Sequence, residues 1–157
     1  MNLKPEIFYL KHVVSEIGPI YSGLAEKKGI DLTCLHPNEL TVYGDKNQIE
    51  FIIRNLLNNA IKFTDRGGFV KLEACDVANG EILIIVSDNG VGISDEAKKR
   101  IFVAGKNKSE VGTEGEKGTG LGLTLTYEFI KLNRGEIKVE SQVGKGTTFY
   151  VRLAKGN

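Results

Sequence analysis

The run 46–64, KNQIEFIIRNLLNNAIKFT, reads as a helix with two unlike faces. At about 100° per residue, Ile49, Ile53, Leu56, Ala60 and Phe63 fall on one side and form a core face. Gln48, Asn55, Asn59 and Lys62 collect on another, because offsets of four and seven return to one stripe. Two carboxamides and an ammonium on one stripe suit a phosphate with its metal. An amide oxygen is a hard ligand for Mg²⁺, and the lysine can meet the outer phosphate charge. A solvated polar face with chance asparagines explains this helix equally well, so the rest of the chain decides.

Around that helix the pattern alternates. Leu3–Lys27 carries Ile7, Leu10, Val13, Val14, Ile17 and Ile20 at helical spacing, with Pro19 as a kink or interruption and Gly29 as the stop. Ile30–Leu35 and Leu40–Tyr43 read as strands about a His36–Pro37–Asn38 turn. Asp45 is positioned to cap the central helix. Phe69–Asp76 and Glu81–Asp88 are β-rich runs joined near Asn79–Gly80, a hairpin signal. The second run is continuously apolar over Ile82–Val86, which suits a central strand. Ser94–Ile101 reads as a short helix capped by Ser94, and Phe102–Lys117 as a long loop of the kind usually tied to function. A helix then runs to about Asn133, with Leu121, Leu125, Phe129 and Leu132 toward the core. Glu136–Ser141 and Thr147–Leu153 are strands around Gly144–Gly146.

With 157 residues, 41% hydrophobic and 26% charged, the chain fits one globular domain, residues 1–157. A net charge of +1 gives no bulk attraction to nucleic acid or an anionic membrane. Cys34 and Cys75 form no disulfide framework and no metal-ligand spacing, and their surroundings suggest buried structural thiols. No secretory signal and no membrane-spanning apolar run is present. A cytoplasmic location is therefore expected, including as the cytoplasmic part of a membrane-bound sensor.

Three glycine-bearing segments carry the chemistry. In Asp88-Asn-Gly90-Val-Gly92, a carboxylate at a strand end can accept a hydrogen bond from an exocyclic amine. Adenine offers one at N6; guanine presents an oxygen there, and a mismatch costs about 1–3 kcal/mol. The glycines let the base approach the backbone. Taken alone, this segment is equally a β-turn. In Gly118-Thr-Gly120-Leu-Gly122-Leu, glycines leading into a helix leave N–H groups for phosphate oxygens, aided by the helix dipole. It is not a Walker A loop, and it fits the dinucleotide fingerprint poorly. In Gly144-Lys-Gly146-Thr-Thr-Phe149, Thr147 or Thr148 can share a water with Asp88 and the base, although an ordinary hairpin explains it as well.

The order N-x-x-x-N-A-x-K-F-T, D-x-G-x-G, long loop, G-T-G-L-G-L, G-x-G-T-T-F resembles the catalytic ATP-binding (HATPase_c) domain of bacterial two-component sensor histidine kinases. That family belongs to the GHKL ATPase superfamily. The match covers about Asp45 to Leu153. The resemblance implies an α/β two-layer (Bergerat) sandwich, a mixed sheet with helices on one face, and ATP beneath a mobile lid of about Ser94–Lys117. It implies that Asn55, Asn59 and Lys62 are catalytic, with Asn59 foremost and Asn55 second as Mg²⁺ ligands. It assigns adenine to Asp88, Gly90 and Gly92 with Ile93 beside them. Phosphate contacts are expected from Lys117, Gly118, Thr119, Gly120, Leu121, Gly122 and Leu123, and further contacts from Thr147 and Thr148. Lys106 and Lys108 are candidate charge-neutralising lid residues. Phe102 resembles what remains of the family's F box; its usual second phenylalanine is missing, with Ala104 and Gly105 following.

Hydrolytic members of the superfamily carry a glutamate where this chain has Asn55. A carboxylate can take a proton from water and a neutral carboxamide cannot, so the expected chemistry is transfer to a protein nucleophile. Neither His12 nor His36 resembles the family's phosphoacceptor, and the helical hairpin that bears it is missing. The chain thus reads as an excised, monomeric catalytic domain, inactive alone. Its expected partners are the histidine-bearing dimerisation domain of the same kinase and, through it, a response regulator. A free-standing GHKL serine/threonine kinase and a non-catalytic nucleotide sensor are the alternatives.

Overall fold

The structure, a computed structural model, describes residues 3–102, 112–116 and 121–157. In chain order it contains β1 (Pro5–Tyr9), α1 (Leu10–Lys28), β2 (Asp31–Leu35), β3 (Thr41–Asp45), α2 (Lys46–Lys62), β4 (Phe69–Val77) and β5 (Glu81–Asp88). These are followed by α3 (Asp95–Lys98), α4 (Gly122–Leu132), β6 (Glu136–Gln142) and β7 (Gly146–Ala154). The expectations for Lys106, Lys108, Ala104, Gly105, Lys117, Gly118, Thr119 and Gly120 lie outside the described residues.

Five strands form a mixed sheet in the order β2-β4-β5-β7-β6. β2 and β4 run parallel and the other neighbours antiparallel. Parallel neighbours need a crossover, and here α2 lies within it. β5 is the central strand, as its continuous apolar run implies. Alternation sends Ile82, Ile84 and Val86 inward with Val70 and Leu72 of β4 and Phe149, Val151 and Leu153 of β7. Helices α1, α2 and α4 pack on that face, so the architecture is the expected two-layer α/β sandwich. On the open face, Lys71, Cys75 and Arg152 are exposed, the usual division for a one-sided sheet. Among the described residues, no helix is long and apolar enough to cross a membrane.

Several local expectations need correction. The N-terminal residues do not continue the first helix. Pro5–Tyr9 is a strand paired antiparallel with β3, Ile7 opposite Tyr43, and α1 begins only at Leu10. Ile7 and Leu10 are three apart and mimic helical spacing, while the pairing strand lies far along the chain. Pro19 does not break α1, which runs through it to Gly29. Gly29 is left-handed (φ 74°), and the N–H of Ile30 reaches the Ala25 carbonyl at 2.8 Å, a Schellman-type stop. In α4 the inward face is Thr126, Phe129 and Ile130, whereas Leu121 and Leu132 are exposed. The thiols are not buried: Cys34 is partly exposed and Cys75 exposed. Both sit near the edge or on the open side of the sheet, which their strand-like context could not distinguish from its core side.

Gln48 also leaves its expected stripe. Asp45 caps α2, its Oδ1 accepting the Gln48 N–H at 3.1 Å, and the Gln48 side chain is buried against the C-terminal cap of α4. There Asn133 Nδ2 donates to Gln48 Oε1 at 2.8 Å, and Asn133 Oδ1 accepts the Asp45 N–H at 2.8 Å. Asp45 Oδ2 accepts the Lys4 N–H at 3.0 Å. This buried network fixes the start of α2 to the end of α4. Asn133→Ala removes partners from the Asp45 N–H and Gln48 Oε1, each worth about 1–3 kcal/mol when left unsatisfied. Urea denaturation is expected to show a loss of about 2–4 kcal/mol. A loss below about 0.5 kcal/mol, the range of ordinary surface substitutions, contradicts the assigned network.

Candidate functional site

Two half-buried carboxamides stand one helical turn apart on α2, at Asn55 and Asn59. Among the described residues neither side chain has a hydrogen-bond partner. Asn55 lies against the first residue of α4: a Cβ on Gly122 would fall 2.7 Å from Asn55 Oδ1. A side chain at Gly122 would therefore displace the carboxamide. Leu121, which precedes α4, is exposed, and Leu123 packs partly into the core. The start of α4, whose first N–H groups lack partners within the helix and whose dipole end is positive, thus lies beside Asn55. Lys62 follows at the last turn of α2, its ammonium 5.0 Å from the centre of the Phe63 ring.

The second part of the site is the end of the central strand. Asp88 lies directly across from Thr147 of β7. Its Oδ1 accepts the Gly90 N–H at 2.8 Å and the Thr147 N–H at 3.3 Å. Oδ2 has no partner among the described residues. Burial pushes the Asp88 carboxyl up to about 6, against the lowering effect of the two backbone donors. A desolvated carboxylate with one oxygen open is a strong acceptor awaiting a donor.

Gly90 and Gly92 are also required by the protein's own packing. A Cβ on Gly90 would lie 2.9 Å from Thr64 Oγ1 and collide with the Phe63 carbonyl; one on Gly92 would collide with the Gln142 carbonyl. Gly92 also takes a left-handed φ of 77°. The missing side chains let this loop pack on the protein's own backbone. The Val91 N–H then reaches the Phe63 carbonyl at 2.9 Å, and the Val91 carbonyl accepts the Gly144 N–H at 2.8 Å.

Ser141, unremarked in the sequence, ties the loop down. Its hydroxyl accepts the Ile93 N–H at 2.7 Å, lies 2.7 Å from Thr147 Oγ1 and donates to the Gly146 carbonyl at 2.9 Å. Only its cross-strand position opposite Thr147 could have signalled this. Thr147 is buried on the Asp88 side, whereas alternation turns Thr148 to the open face, away from Asp88. Phe102 is stacked on Tyr127 of α4, with centroids 5.4 Å apart, and meets Phe149 edge-on at 6.4 Å. It therefore packs between the half-buried Tyr127 and the core residue Phe149. Lys28, also unremarked, is buried at the end of α2.

A one-sided sheet with an acceptor at its central strand end, half-buried amides on the adjacent helix and a glycine-led helix start is the arrangement of an ATP-binding domain. Residues 44–157 match the family described as Histidine kinase-, DNA gyrase B-, and HSP90-like ATPase, and the chain belongs to it as a catalytic ATP-binding domain of the histidine-kinase type. It is 43% identical to the histidine protein kinase DivJ of Caulobacter vibrioides over 97% of this chain and 25% of that protein. It is 36% identical to the sensor histidine kinase TmoS of Ectopseudomonas mendocina over 92% of this chain and 15% of that protein. The chain thus spans a quarter or less of these relatives. Among solved structures, the catalytic domain of the histidine kinase ThkA superposes with a TM-score of 0.82 at 26% identity, covering 99% of this chain and 97% of that one. Full-length ShkA in complex with AMPPNP superposes with a TM-score of 0.83 at 25% identity, covering 100% of this chain and 32% of that one.

The raised Asp88 value has a consequence for stability. The folded state holds the proton more tightly than the unfolded state, so this stabilisation is full below about 3.8 and is lost as pH rises through about 6. Discounted for partial exposure, the loss is about 1–2 kcal/mol. Asp88→Asn is therefore expected to match or exceed the wild-type melting temperature at pH 7.5, with the advantage shrinking at pH 4.5. A variant clearly less stable at pH 7.5 than at pH 4.5, relative to wild type, contradicts this sign.

Proposed function

We propose that this domain binds Mg²⁺–ATP and presents its γ-phosphoryl group to a histidine on the dimerisation hairpin of the same kinase. A response regulator then takes the group from that histidine. Phosphoryl transfer of this kind depends on positioning and charge neutralisation. Asp88 Oδ2 accepts the adenine N6–H, Lys62 offsets outer phosphate charge, and the start of α4 meets phosphate oxygens. Asn55 and Asn59 would hold Mg²⁺, with Asn59 foremost. That donor set fits a hard, partly hydrated cation, which takes oxygen ligands and keeps several waters: both amides are unpartnered among the described residues. Mg²⁺ supplies neutralisation of the phosphate charge. The reading places the domain in the cytoplasm, where ATP is available, and as a monomer when isolated.

The observation that carries the kinase reading over hydrolysis is Asn55 itself. It stands beside Gly122 at the start of α4 and is a neutral amide, unable to take a proton from water.

Calorimetry with ATP, ADP and GTP tests the site. Asp88→Asn is expected to weaken ATP binding at least tenfold, about 1.4 kcal/mol; unchanged affinity refutes the role. Wild-type affinity is expected to fall about tenfold between pH 7.5 and 5, because only about a tenth of a carboxyl with a value near 6 remains ionised at pH 5. Asn59→Ala is expected to abolish the Mg²⁺ dependence of binding, and identical Mg²⁺ titrations would rule that out. With a histidine-bearing hairpin added in trans, label from γ-³²P-ATP is expected on histidine. Label on serine or threonine of another protein instead would favour a free-standing kinase.

A further inference from the structure

Lys28 ends α1, yet its side chain is buried and its ammonium is shared between two other parts of the fold. Lys28 Nζ donates to the carbonyls of Ile61 at 2.8 Å and Lys62 at 3.0 Å, the last turn of α2. It also pairs with Glu116 Oε2 at 2.6 Å. Glu116 immediately precedes the glycine-rich run 117–122. A cation at a helix C-terminus is favoured by the dipole and by the bare carbonyls, and a buried ammonium requires such partners.

Segment 112–116 is built to receive this contact. The Gly112 N–H donates to the Glu116 carbonyl at 2.8 Å, the Gly115 N–H to the Gly112 carbonyl at 3.1 Å, and the Glu114 N–H to Glu116 Oε1 at 2.9 Å. The closed turn sits on the end of α2: the Thr113 N–H donates to the Lys62 carbonyl at 3.0 Å and Thr113 Oγ1 to the Thr64 carbonyl at 3.1 Å. A Cβ at Gly112 would lie 2.6 Å from Lys62 Cγ.

We propose that Lys28 is a positioning residue for the phosphate side of the nucleotide site. By gripping the last carbonyls of α2 and the Glu116 carboxylate together, it fixes segment 112–116 to the helix end that carries Lys62. The inference rests on the ATP-binding reading above. Lys28 touches no substrate; it acts through Glu116 and the backbone of Lys62. Among the described residues Asp88 itself shares no hydrogen bond with Lys28 or segment 112–116; the loop after it meets the same helix end one residue further on, at the Phe63 carbonyl, so the grip is expected to bear first on the phosphates and least on the base.

The test uses the whole chain with Glu116→Gln and Lys28→Met. Glu116 is about one-third exposed (34%), so its variant is expected to fold as wild type even if Lys28→Met loses stability. In the nucleotide-free proteins, amide exchange at Gly112, Thr113 and Gly115 is expected to accelerate, while that of Ile84 in β5 stays slow. ATP affinity is expected to fall by about three- to tenfold in Glu116→Gln, with adenosine affinity unchanged. A merely structural role would weaken both ligands alike, and that outcome overturns the proposal. So does unchanged exchange, or accelerated exchange with unchanged ATP affinity. A wild-type protein that binds no ATP would overturn the nucleotide reading itself and this inference with it. Wild-type binding with indistinguishable variants overturns the positioning role alone.

Discussion

A helix that ends against the rest of the protein leaves carbonyls that must find donors, and this fold is assembled around meeting that need at the end of α2. The Ile61 and Lys62 carbonyls take the Lys28 ammonium. The Lys62 and Thr64 carbonyls take the N–H and hydroxyl of Thr113. The Phe63 carbonyl takes the Val91 N–H, from the loop that follows the central strand. Three segments far apart in sequence therefore converge on one helix end. Because α2 also carries Asn55, Asn59 and Lys62, its capping and the construction of the nucleotide site are the same event.

The other end of α2 is held with equal care. Asp45, Gln48 and Asn133 form a buried network that joins its first turn to the last turn of α4. With both ends fixed, the stripe facing the start of α4 is set by the fold before any ligand arrives. Preorganisation of this kind is what a phosphoryl-transfer site requires, since little covalent chemistry is left to the protein. Among the described residues Asp88 Oδ2, like the Asn55 and Asn59 side chains, is left without an internal partner. Its raised value means that the free domain holds an ionised acceptor at neutral pH at some cost in stability, and the cost falls away when a donor occupies Oδ2.

Much of this was legible in the residues. The two faces of α2, its Asp45 cap, the central apolar strand and the Asn79–Gly80 hairpin follow from local pattern, and the order of the motifs identified the family. What was not legible depended on distant partners. Pro5–Tyr9 became a strand because Thr41–Asp45 lies beside it. Gln48 matched the polar stripe by spacing but was drawn inward by Asn133. That Gly90 and Gly92 must also lack side chains to clear the Phe63 and Gln142 carbonyls depends on tertiary packing that the local motif does not show. Lys28 has no local feature in the sequence beyond its place before Gly29. Its burial follows from the tertiary placement of α2 and of Glu116 beside it. Thr147 and Thr148 differed only in strand register, which pairing with β5 decides.

The most direct measurement is the titration of the Asp88 side-chain carboxyl by ¹³C NMR, in the free domain and with ATP or GTP. A midpoint near 6 is expected in the free protein, shifted well downward by ATP because a donated hydrogen bond to Oδ2 favours the charged form. GTP is expected to leave the midpoint where it was. A saturating concentration of ATP that leaves the Asp88 midpoint unmoved would contradict the assignment of Asp88 as the adenine acceptor.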